Sequence, residues 1–210
     1  MAKIKMKKKS TSTDMTAMCD VAFLLLTFFI LTATAKVPEA LPVDTPSSTV
    51  QSKLPDTDLA IITIGKGTDG KTKVFFDIKG RDLRKKTLEG MGDKLGVQFS
   101  EEDQAKFALM DDFGVPLASL KQIIDMKASD RTKANQPGIP TDSTDNQLKD
   151  WLLVARRATL DLSGESKELQ IAIKGDAKEE YPEIKKIMDI LQDQKINSFN
   201  LVTGMRGKDF

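Results

Sequence analysis

The stretch "LQIAIKGDAKEEYPEIKKIMDILQDQKINSFNLVT", residues 169–203, changes its hydrophobic period twice. Leu169, Ile171 and Ile173 alternate as on a half-buried strand. After "GDAKEEY", Pro182 can open a helix that carries Ile184, Ile187, Met188 and Leu191 on one side, and "FNLVT" then closes as a second strand. Upstream, Thr144 or Asp145 can cap a helix in which Leu148, Trp151, Leu152, Ala155 and Thr159 recur at helical spacing, with a stop at Gly164 and Trp151 as a core anchor. Farther back, "DLAIITI" and "TKVFFDI" flank "GKGTDGK", which reads as a hairpin.

From Arg81 to Pro140 the signals are weaker. Ser100 can cap a short helix over "SEEDQAKFALMDD", and Pro116 precedes another with Leu117, Leu120, Ile123 and Ile124 as its face. The stretch "KASDRTKANQPGIPTDSTD", 127–145, reads as a mobile loop. The order is strand, strand, helices, strand, helix, strand, which predicts an α+β domain of two layers, with helices over a mixed sheet, spanning 57–210.

Two further segments precede this domain. Residues 36–56, "KVPEALPVDTPSSTVQSKLPD", hold four prolines and few large apolar residues, so they read as a semi-extended linker without a core of its own. Met15 to Ala35 is free of charge except for Asp20, and 21 helical residues reach ~30 Å, the thickness of a bilayer's hydrocarbon core. Five lysines lie in the first nine residues, so the positive-inside rule keeps residues 1–14 in the cytoplasm and exports everything after the helix. A cleavable signal peptide ending at Ala33-Thr34-Ala35 would fit the same outline, but Asp20 would have no use in a discarded segment.

An ionised Asp inside a bilayer costs ~2.5–3.5 kcal/mol or more, so such residues usually serve function. On a helix Thr13, Asp20, Thr27 and Thr34 recur every seven residues, with Thr16 one turn before Asp20. Two readings of this stripe stand side by side. It faces other helices, with Thr16 and Thr27 lining Asp20, or the threonines satisfy their own backbone while Asp20 reaches the cytoplasmic interface. Enclosure favours a neutral carboxyl, and a group that alternately takes up and releases a proton could couple ~2.3 kcal/mol per 100 mV of membrane potential to motion.

Composition removes several function classes. Beyond Ala35 there are 27 Lys/Arg against 29 Asp/Glu, and the chain has one Tyr and one Trp, so neither a basic surface nor a stacking platform for nucleic acid is present. With no His and only Cys19, inside the apolar run, a His/Cys metal site or an internal disulfide is excluded from the exported part, and no cofactor is implied. Acidic groups such as Asp111 with Asp112, or Glu101, Glu102 and Asp103, read as solvated helix ends rather than a catalytic pair; the chain is not expected to be an enzyme.

Three stretches resemble the ExbD/TolR family of single-span inner-membrane proteins: "DMTAMCDVAFLLLTFFILTA" with Asp20, "LPVD" with Leu41-Pro42, and 169–204 with Asp176 and Tyr181. Residues 81–140 depart from it as an insertion that either binds a partner or decorates the domain. The resemblance implies a partner of the polytopic ExbB/TolQ type, a TonB-like periplasmic protein and a homodimer within the complex. It implies proton-motive-force coupling through Asp20, in TonB-dependent outer-membrane transport or in TolR-like envelope maintenance. Asp176 and Tyr181 are expected to be structural, ending a strand and packing a helix. From a different class, a membrane-tethered binding module needs no work from Asp20. A flagellar-stator subunit would need a larger peptidoglycan-binding domain than this chain holds.

Overall fold

The computed structural model describes residues 15–33, 39–48, 54–67, 69–142, 145–164 and 167–205. The chain divides into two units, Met1–Val37 and Pro38–Phe210. In the first, helix α1 covers Met15–Thr32, and the Ala33 amide continues its ladder with a 2.9 Å bond to the Phe29 carbonyl. None of its residues is buried.

The second unit is built on a hairpin. β2, Leu59–Lys66, and β3, Thr72–Lys79, pair antiparallel in register from Leu59↔Lys79 to Lys66↔Thr72. β4, Gln170–Gly175, adds parallel to β2, and the short β5, Asn200–Leu201, adds parallel to β4. The mixed sheet has the order β3-β2-β4-β5. Ala60, Ile62, Ile64, Val74, Phe76, Ile78, Ile171 and Ile173 share one face by their period of two, and all join the main core. The α+β, two-layer architecture expected from the sequence is the one observed.

Helices cover that face. α6, Gln147–Ser163, buries Leu148, Trp151, Leu152, Ala155 and Thr159, as its spacing required, and ends at Gly164, whose φ of 61° suits glycine. Its cap is Asn146, accepting from the Lys149 amide, rather than Thr144 or Asp145; Thr144 lies outside the described residues. α7, Tyr181–Asp193, has Pro182 in its first turn and turns Ile187, Ile190 and Leu191 inward, with Ile184 and Met188 packed partly against the core.

Residues 81–140 do not decorate the domain but pack into its core. α2, Arg81–Leu95, forms in a stretch whose charge gives no helical signal, yet it buries Leu83, Leu88 and Met91 and packs along α6. α3, Glu101–Ala108, carries the expected cap as a reciprocal Ser100/Asp103 capping box, and α4, Leu117–Asp125, buries Leu117, Leu120, Ile123 and Ile124. Phe107 and Phe113 from this segment surround the fully buried Trp151 at ring distances of 6.1 and 5.0 Å, with Phe76 of β3 at 6.2 Å. Residues 81–140 supply one wall of a shared core.

The described residues 127–142 of the stretch expected to be a mobile loop are also tied down. A single turn, α5, Ala128–Arg131, leads to Gln136, which is buried and accepts a 2.7 Å bond from the Gly114 amide. Ile139 enters the core and donates its amide to the Val74 carbonyl at 2.8 Å. Few large apolar side chains mark this stretch, because its order comes from main-chain bonds to distant residues.

Residues 39–48 also differ from a free linker. They lie on the sheet face opposite the helices, and β1, Ser47–Ser48, pairs parallel with β6, Gly204–Met205. Leu41 is only 5% exposed, and Val43 packs where a Cβ on Gly65 would sit. The hydrophobic pattern of that second face, with Phe75 and Ala172 buried outside the main core, requires a cover, and this segment provides part of it.

Candidate functional site

Asp20 occupies the second turn of α1, about 8 Å along the axis from Met15, with Thr16 one turn before it and Thr27 about two turns after it. At 3.6 residues per turn these three lie within roughly 60° of one another, so the described part of the helix keeps its polar stripe. Thr13 and Thr34 lie outside the described residues. The remaining surface is apolar: Phe23, Leu24, Leu26, Phe28, Phe29, Ile30 and Leu31 are all exposed. An 18-residue helix with an unburied apolar surface is long and apolar enough to cross a membrane, as in a single-pass membrane protein.

The threonines differ in what they can offer. The Thr27 hydroxyl donates to the Leu24 carbonyl at 2.9 Å, and Thr32 donates to Phe28 at 2.7 Å. Thr27's proton is thus committed within its own helix, in line with a self-satisfied stripe, while its oxygen can still accept. Asp20 is the one acidic side chain of the helix.

In the second unit the sheet edges decide where an extended partner could add. The outer edge of β3 is engaged by residues of the 81–140 segment: Phe76 and Phe113 exchange both amide bonds, at 2.8 and 3.0 Å, and Ile139 bonds to Val74. On the other side β5 closes the described sheet with Leu201 exposed. Glu101 and Glu102 are exposed in the first turn of α3, as expected of solvated helix ends, whereas Asp103 and Asp112 differ from that expectation. Asp103 is the capping-box partner of Ser100, whose amide holds the carboxylate below its usual range. Asp112 is not a solvated helix end: burial pushes its carboxyl up, the Ala40 amide opposes this, and Asp77, Asp111 and Glu39 nearby add to the rise.

Asp176 does end a strand. Its amide reaches the Ile64 carbonyl at 3.0 Å and its side chain accepts from the Lys178 amide at 2.9 Å, an Asx turn after β4. Tyr181 departs from expectation: it starts α7 but is 66% exposed, so it does not pack the helix. The period of α7 already accounts for its buried face, and position 181 falls off it.

Residues 6–205 match the family described as Biopolymer transport protein ExbD/TolR. The chain belongs to the ExbD/TolR family. The matched span runs from the basic tail to β6 and encloses α1, the sheet and residues 81–140. No curated protein and no solved structure gives a significant match. Membership places the chain among the accessory proteins of biopolymer transport.

Proposed function

We propose that this chain is the protonatable subunit of an ExbB-ExbD-TonB type complex in the inner membrane, passing energy from the proton motive force to TonB-dependent outer-membrane transport. The observation that carries the reading is Asp20, a lone ionisable carboxyl on an exposed apolar helix of spanning length in a member of this family. α1 sits among helices of an ExbB/TolQ-like polytopic partner, with a second copy of this chain, and its polar stripe faces protein rather than lipid. The Thr16 and Thr27 oxygens line the carboxyl, Thr27 as acceptor only. The five N-terminal lysines hold that end in the cytoplasm, so residues after the helix are periplasmic.

Protonation of Asp20 removes a charge from the interface with the partner helices, and ~2.3 kcal/mol per 100 mV is then available to each proton that crosses. A TonB-like protein is engaged by the exported domain. An extended segment of that protein would add at the β5 side, since the β3 edge is already bonded to Phe113 and Ile139. The test is uptake of a TonB-dependent substrate, such as chelated iron, in cells carrying Asp20→Asn, with protein level and outer-membrane integrity followed together. Loss of uptake at normal protein level supports this reading, whereas normal uptake with a leaky outer membrane would assign the chain to TolR-like service. No change in either would leave the helix as a tether.

A further inference from the structure

α2 and α6 run antiparallel, since Lys86 pairs with Asp161 near one end and Lys94 with Asp150 near the other. Between these two bridges the helices leave a groove of about 630 Å³. Gly90 sets its floor: a Cβ there would meet Val154 Cγ1 at 2.7 Å, so the missing side chain lets α2 settle against α6. The α2 wall consists of Lys86, Glu89, Gly90 and Asp93, spaced i, i+3, i+4 and i+7, the four positions that form a hole for a side chain of a facing helix. The rims carry charges that the chain itself leaves unused. Glu89 and Asp93 on α2 and Arg157 on α6 are exposed, and among the described residues none of the three has an ion-pair partner, although both ends of the groove are bridged. On α6, Leu153 and the exposed Leu160 flank Arg157 about one turn to either side.

We propose that the α2/α6 face is an interface between two copies of this chain, packed as a four-helix bundle in which Glu89 of each copy pairs with Arg157 of the other. With Gly90 level with Val154, counting ~1.5 Å per residue in opposite directions puts Arg157 about 3 Å along the axis from Glu89 and Leu153 about 1.5 Å from Gly90. A two-fold axis parallel to the helices lays α2 of one copy against α6 of the other at these same levels. Glu89 then meets Arg157 twice, and Leu153 enters the hole beside Gly90 twice. An axis running across the helices would instead set α2 on α2 and α6 on α6, acidic rim against acidic rim and Arg157 against Arg157. The 15 residues of α2 span ~22 Å, and two helices side by side are ~20 Å wide, so the face buries roughly 450 Å² per copy, the size of a weak interface. Such an interface forms where copies are already held together, so it rests on the second copy of the complex proposed above. Residues 81–140 supply half of it through α2.

The test is disulfide cross-linking of the full-length protein in cell membranes, using two differently tagged copies that both carry Cys19→Ala, which removes the chain's own thiol. One copy carries Asp93→Cys and the other Leu153→Cys; these positions differ in level by about 3 Å and leave both Glu89–Arg157 pairs intact. The two copies should cross-link, and Asp93→Cys in both copies should not. Arg157→Glu in both should lower the cross-linked fraction about fivefold or more, because like charges then face each other, and adding Glu89→Arg to both should restore it. Recovery in the doubly reversed protein separates lost pairing from lost folding. Absence of the cross-link between positions 93 and 153, a stronger one between the two positions 93, no effect of Arg157→Glu, or no recovery on adding Glu89→Arg overturns the proposal. The Asp20→Asn experiment is read separately. No cross-link beside lost uptake removes this interface alone, whereas cross-linking beside normal uptake removes the coupling role and keeps the interface.

Discussion

Replacing Phe107 by Ala tests whether residues 81–140 belong to the domain's core. The ring is 2% exposed, lies stacked at 6.1 Å and 22° on Trp151, and meets Phe113 edge-on at 5.4 Å. Truncating a buried Phe costs about 3–5 kcal/mol, and each lost aromatic pair is worth about 0.5–1.5 kcal/mol, part of which that range already contains. We expect a loss of about 4 kcal/mol, a large share of the roughly 5–15 kcal/mol that holds a domain folded, and a fall in Tm of about 10 °C. The chain has a single Trp, and it sits in this cluster, so its fluorescence follows the packing of residues 81–140 directly while far-UV circular dichroism follows the whole unit. In urea titrations of the full-length protein the two signals should move together and shift together in Phe107→Ala. Separate transitions, or a fluorescence shift with no change in the rest, would refute the idea of one shared core.

Gln136→Ala should cost about 1–3 kcal/mol in the same titration, because it leaves the Gly114 amide buried without its 2.7 Å partner. Arg84→Met should cost a similar amount, about 1–3 kcal/mol, since the Ile78 and Ala108 carbonyls lose their donor while buried Asp77 keeps Lys79 at 2.6 Å. Asp112→Asn should act in the opposite direction. With its folded carboxyl pushed up by burial and by Asp77, Asp111 and Glu39, the wild type holds that contribution at low pH and loses it as pH rises through the folded value. The variant should therefore melt higher than wild type at pH 7, with the difference shrinking toward pH 4, and an unchanged difference across that range would remove Asp112 from the account.

The elements that could be read from the sequence are those whose own period decides them. The hairpin, α6 and α7 each carry a complete apolar face, and α3 and α4 have a capping Ser or a leading Pro, so local residues sufficed. α2 was hidden because "RDLRKKTLEGMGDKL" is charged, has Gly90 and Gly92 inside it, and starts at Gly80 without a side-chain cap; it is a helix because Leu83, Leu88 and Met91 find the α6 side of the core. The docking of 39–48 and the order of 134–141 rest on bonds to residues far away in the chain, such as Ala40 to Asp112 and Gln136 to Gly114, and no local pattern encodes those. Asp20 stands out in the sequence by its isolation in an apolar run, and its role is the proposal tested below. Spacing alone allowed Thr27 either to line Asp20 or to satisfy its own backbone, and only the folded helix shows its hydroxyl proton spent on Leu24.

The central claim is that Asp20 works by exchanging a proton. Uptake of chelated iron should be compared between Asp20→Glu, which keeps a titratable carboxyl on the same face of α1, and Asp20→Asn, which keeps the shape and a hydrogen-bonding group but cannot titrate. At equal protein levels in the membrane, the account predicts measurable uptake with Glu and none with Asn. Uptake by Asp20→Asn equal to that of the wild type would contradict it.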